Sequence, residues 1–191
     1  MLIDKEEVAV RQLDTAIRLL FDGGDIVSVH TLACAAANVF RDILKARGGA
    51  AWYDAIIESH PGMKREVRQT LARAQNFFKH ADRDAEEELD FDESVNDQTT
   101  IVATLEYGEL LRLGAPSGRT KTTIPMSVFQ LWYFAKNPTV LLQAPDDSGV
   151  QIAAAADQLF PGLRTRPRAE QLAQGDGILR RREAAFSRVS G

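Results

Sequence analysis

The chain has 191 residues, of which 45% are hydrophobic and 26% charged, and a formal net charge of −4. That is the profile of a soluble globular protein whose core needs no disulfide or metal staple, and its acidity argues against wholesale, nonspecific nucleic-acid binding. The single cysteine, Cys34, excludes an internal disulfide and a Cys-rich zinc site. The opening "MLIDKEEVAVRQL" lacks the apolar region of a secretory signal, and no uninterrupted apolar run approaches the ~18 residues of a membrane helix. A cytoplasmic location without membrane association is the expectation.

In chain order the pattern is helix after helix. Residues 4–21 place Val10, Leu13, Ile17 and Leu20 three and four apart, on one helical face. Glu6 and Glu7 stand in the first turn, where acids favour the helix dipole. "DGGD" at 22–25 ends this helix through a left-handed glycine, and Asp25 is an N-cap for the next. That helix, 26–46, is small-sided at Ala33, Cys34, Ala35, Ala36 and Ala37, which lets a neighbouring helix approach closely. A short helix is expected over 51–59 and another over 63–81, with Val67, Leu71, Ala74 and Phe78 on one face. Residues 82–92 form an acidic loop. The segment 93–113 contains "TTIVATL", which has strand propensity, but Ile101, Leu105 and Leu111 fit a helix. A turn-rich connector, 114–122, leads to a helix over 125–136 that opens on a proline. Another follows at 148–160. Short connectors between successive helices give an all-α, up-down bundle.

Charge is unevenly spread. Residues 82–97 hold nine acids and one base, whereas 162–191 hold seven arginines against three acids. The expected organisation is a bundle core at 1–115, additional helices packed on it at 116–161, and an arginine-rich, partly mobile tail at 162–191.

Three histidines are present, without the i, i+4 or Glu-x-x-His spacing of helical metal sites. No metal and no cofactor is expected. His30 reads as a half-buried histidine hydrogen-bonded within the bundle, and Cys34 as inert packing. No phosphate-binding loop and no G-x-S-x-G elbow occurs. "LARAQNFFKH" at 71–80 is the most informative stretch. At 100° per residue Arg73, Asn76 and His80 fall on one polar stripe while Phe78 points into the bundle. A guanidinium can clamp a phosphate through two parallel hydrogen bonds, and an imidazole moves protons near neutral pH. The same residues also have a purely structural reading, because bases in a last helical turn favour the dipole.

An Arg followed after six residues by a His, late in a helix of a small all-α bundle, resembles the HEPN (higher eukaryotes and prokaryotes nucleotide-binding) family. The gap of six is at the long limit of its motif, and Ala74 stands where the family often has a polar residue. The resemblance covers about residues 1–115. It implies a metal-independent ribonuclease of toxin or defence type and a homodimer in which two Arg/His pairs share a cleft. RNA would be the substrate, and an antitoxin or other protein a partner. Arg73 would hold the scissile phosphate, His80 would serve proton transfer, and Asn76 would support both. "NFFKHADRD" also resembles a stretch of bacterial proteins with no assigned function. The rival expectation is a non-enzymatic helical interaction module in which the acidic loop and the arginine-rich tail serve a partner.

Overall fold

The computed structural model describes residues 2–80, 82, 85–143 and 148–190. It is all-α, with no strand among the described residues: α1 (Lys5–Phe21), α2 (Ile26–Ala46), α3 (Trp52–Glu58), α4 (Lys64–Lys79), α5 (Ser94–Arg112), α6 (Ile124–Lys136), α7 (Ser148–Leu159) and α8 (Arg168–Ser190). The helix over 93–113 forms despite its β-branched centre, since Ile101 and Leu110 are buried on it while Thr100 and Thr104 turn inward on the same helix. The caps follow the sequence. Asp25 Oδ2 accepts from Ser28 N at 2.8 Å, and hydrogen bonding from Ser28, its side chain first and its backbone N–H second, holds the carboxyl below the ordinary value. Gly23 takes the left-handed conformation, φ +68°, that ends α1.

Two compact units divide the chain: Met1–Ala16 with Asp25–Thr122, and Ile17–Gly24 with Thr123–Gly191. The break falls at 122/123, a few residues past the expected 115, and the second unit also takes the last turn of α1. Arg168–Ser190 of the tail form one helix, α8.

In the first unit α2 packs most extensively on α5. Ala33 and Ala36 of α2 and Ala103 of α5 are fully buried, so the small-residue run serves a neighbour inside the chain. His30 meets Asn96 and Phe40 meets Tyr107, ring centroids 4.9 Å apart, so α2 and α5 run parallel. Phe78, at the end of α4, packs edge-on against His30 near the start of α2, and α1 starts beside the end of α5. Consecutive long helices therefore alternate in direction, as the short connectors imply.

Two buried glutamates lock this unit. Glu6 accepts from Ser117 Oγ at 2.6 Å and Ser117 N at 2.8 Å, and Tyr107 Oη donates to it at 3.2 Å. The first turn of α1 thus fixes the connector after α5. Burial and then the Glu6 charge push the Tyr107 hydroxyl up to about 12. Glu106 accepts from Tyr53 N at 3.0 Å and so caps α3, whose own N-cap residue, Ala51, makes no side-chain cap. Burial raises the Glu106 carboxyl above the ordinary value.

The second unit is built around Trp132. Its Nε1 donates to the Gln171 carbonyl at 2.8 Å, and its ring stands edge-on to Phe21, centroids 5.5 Å apart. Gly175 gives Phe21 room: a Cβ there would lie 2.4 Å from the ring.

Val10, Leu13, Ile17 and Leu20, placed on one face of α1 by their spacing, are buried, as are Val29, Phe40 and Leu44 of α2. Leu32, Val39 and Phe78 are only partly covered. Leu71 is a correction: it is exposed, because Ala74 is the only buried residue of α4 and the helix lies at the surface. A second correction concerns hydropathy. Among the described residues α2 is long and apolar enough to cross a membrane by length and composition; here it is the central helix of the first unit, with Val29, His30, Phe40 and Leu44 buried.

Candidate functional site: the groove along α4

The outward face of α4 is written in its spacing. Glu66, Thr70, Arg73 and Phe77 recur at intervals of four, three and four, one helical stripe, about a quarter of a turn round the helix from the stripe of Val67, Ala74 and Phe78. The outward stripe and the segment Glu87, Glu88 and Leu89 line a groove of about 460 Å³. Asn76 also lines it. Phe77 and Leu89 supply its apolar surface, and three carboxylates face one guanidinium. Among the described residues Arg73 makes no ion pair or side-chain hydrogen bond.

Arg73 and Asn76 are thus brought together, and His80 is not part of that lining. The helical placement of His80 is corrected by its backbone. α4 ends at Lys79, and His80 is the C-cap with φ −132° and ψ 129°, an extended conformation. The rule of 100° per residue holds only while helical dihedrals continue. His80 N still donates to the Asn76 carbonyl at 3.0 Å, and its side chain is exposed. Arg83 and Asp84 of the acidic run lie outside the described residues.

Behind the groove both walls are pinned to one buried ring. Phe78 follows Phe77 on the α4 wall, and Phe91 follows Leu89 on the other. Phe78 and Phe91 pack against each other at 5.2 Å and against His30 at 5.6 and 5.1 Å. His30 is fully buried rather than half-buried, and hydrogen-bonded within the bundle as expected. Asn96 Nδ2 donates to the Ile26 carbonyl at 2.9 Å, which turns its Oδ1 to His30 Nδ1 at 3.1 Å. His30 Nδ1 therefore carries the proton, and Nε2 accepts from the Cys34 thiol at 3.3 Å. Burial depresses the His30 pKa and pushes the Cys34 thiol up to about 12. Cys34, His30 and Asn96 have the connectivity of nucleophile, base and orienting amide. The thiol stays protonated at neutral pH, however, and the groove lining does not include it.

Sequence reasoning found Arg73 and Asn76, with Phe77 flanking them, but not Glu66 and Thr70, which the same periodicity could have supplied. Glu87, Glu88 and Leu89 come from a non-helical segment that carries no periodic signal.

No family model matches the chain, and neither the curated proteins nor the solved structures yield a match.

Proposed function

We propose that this chain is a non-enzymatic helical interaction module whose α4 groove takes a cationic, partly apolar segment of a protein partner. The carrying observation is the groove lining: Glu66, Glu87 and Glu88 outnumber Arg73, and Phe77 and Leu89 offer apolar contact between the charges. A polyanion entering this groove meets three carboxylates, whereas a basic segment is attracted by them and steered toward it. The test uses a synthetic helical peptide with arginines flanking a phenylalanine, titrated onto the full chain. Binding is expected, weakening as salt screens exposed charges over a Debye length of ~8–10 Å. Glu87→Lys with Glu88→Lys should abolish it without lowering the melting temperature. A peptide that binds both proteins equally would sink this reading.

A second reading is favoured by Arg73, which makes no ion pair among the described residues, beside Asn76 in the same groove. On it the chain is a metal-independent ribonuclease of HEPN type, with His80 brought in from the end of α4. It requires RNA cleavage in EDTA that leaves cyclic phosphates. His80→Ala should then cost about 10²–10⁴-fold. Arg73→Lys should fail as well, because lysine lacks the bidentate fork. An RNA pool left intact by the wild-type protein removes this reading.

A further inference from the structure

The far end of α8 is a helix without a surface to lie on. Ile178 and Leu179 are buried, but Arg181, Arg182, Ala184, Ala185, Ser187 and Arg188 are all exposed, and Phe186 retains 63% of its accessible surface. Glu183 pairs with Arg18 at 2.7 Å, and Ser187 Oγ donates to the Glu183 carbonyl at 3.0 Å. Arg180 is engaged by Asp176 and Asp22, whereas Arg181, Arg182 and Arg188 make no ion pair among the described residues. A helical end gains its stability chiefly from packing of an apolar face, which this one lacks. Arg182 and Phe186 stand four apart, so a guanidinium and an aromatic ring share one stripe.

That stripe has the chemistry that the α4 groove lacks. The groove offers carboxylates around Phe77 and Leu89; the helix offers guanidinium groups around Phe186. We infer that the α4 groove is occupied by the arginine-rich end of α8 from a second copy of this chain. The inference rests on the interaction-module reading above and names its partner. Phe186 seats against Phe77 and Leu89, and Arg181 and Arg182 meet Glu87 and Glu88. Each copy carries both surfaces, so two copies paired about a two-fold axis, the commonest symmetry of homo-oligomers, would make the contact twice.

Charge exchange tests it on the full chain by sedimentation. One variant reverses the helix, Arg181→Glu with Arg182→Glu; the other reverses the groove, Glu87→Arg with Glu88→Arg. Wild type should dimerise at micromolar concentration, with the dissociation constant rising at least roughly tenfold at about 0.5 M salt. Each variant alone sets like charges against each other and should be monomeric. Their equimolar mixture restores both contacts and should dimerise. Circular dichroism melts confirm that each variant is folded. A variant that melts early is replaced by Phe186→Ser, which alters one exposed side chain and should also give a monomer. The proposal is overturned by a monomeric wild type at low salt, by a dimer that ignores the reversals, or by a mixture that stays monomeric. If the wild type is monomeric yet still binds the synthetic arginine peptide through Glu87 and Glu88, the self-pairing is wrong and the interaction-module reading stands.

Discussion

His30 shows what one buried side chain imposes. Both ring nitrogens are committed, Nδ1 as donor to Asn96 and Nε2 as acceptor from Cys34, and the ring faces lie among Phe78 and Phe91. A proton added at Nε2 would place a charge in this apolar surround, so the folded-state pKa is depressed below the ordinary value of 6.5. Above that value both folded and unfolded chains hold a neutral ring. Below it the unfolded chain takes up a proton that the folded chain does not, so stability falls as pH falls. The loss reaches at most about 1.4 kcal/mol per pH unit, down to the folded-state pKa. Urea titrations at neutral pH and near pH 5 should show it, and His30→Gln, which cannot titrate, should show a smaller decline. Equal declines would place the acid sensitivity elsewhere. The sequence made this histidine legible as a hydrogen-bonded one, because its spacing to Cys34 is one helical turn. Asn96 was not legible, since nothing local ties residues sixty-six positions apart.

Among elements, α8 carries the sharpest contrast between local preference and packing. Gly175 and Gly177 both sit inside a helix, where alanine is better by about 0.8–1 kcal/mol on propensity alone. At 177 an added Cβ would meet nothing nearer than Arg181 Nη1 at 3.7 Å, so Gly177→Ala should stabilise by about that amount. At 175 the Cβ would fall 2.4–2.9 Å from three atoms of the Phe21 ring. Overpacking of that kind costs ~1–3 kcal/mol and outweighs the propensity gain, so Gly175→Ala should destabilise. Thermal melts of the two variants should move in opposite directions; a shift of the same sign would mean that Phe21 yields freely. The elements were the most legible part of the chain. Asp25, Gly23 and the 3.6-residue periodicity act over one or two turns, and the helix bounds follow them closely. His80 was misplaced for the complementary reason: a helix end is set by where the backbone leaves helical dihedrals, and no glycine or proline marks that point after Lys79. The groove was half legible, its α4 wall in the helical spacing and its other wall hidden in an acidic segment without period.

At the scale of the molecule, the second unit draws its residues from two distant parts of the chain. Phe21 packs on Trp132, and Arg18 reaches Glu183, 165 positions away. Leu20 and Phe21 are almost fully buried. A chain cut after Thr122 would keep these side chains and lose Trp132, Phe129 and Gly175. It should aggregate where the full chain does not, and Phe21→Ser in the cut chain should restore solubility. A truncated chain that stays monodisperse with Phe21 intact would show that the last turn of α1 finds other cover. The charge distribution belongs to this scale too. The acidic run 82–97 and the basic tail 162–191 were plain from composition, but which of their side chains line a surface was not, since composition holds no record of surfaces.

The same sequence separation has a consequence for the nascent chain. The glycine that accommodates the Phe21 ring leaves the ribosome more than a hundred and fifty residues after Phe21 itself. At ~5–20 residues per second that interval is roughly eight to thirty seconds. Through all of it the last turn of α1 stays without the Trp132 cluster or with only part of it. Chaperone capture during synthesis would therefore concentrate on the last turn of α1, and its release would track the arrival of α8.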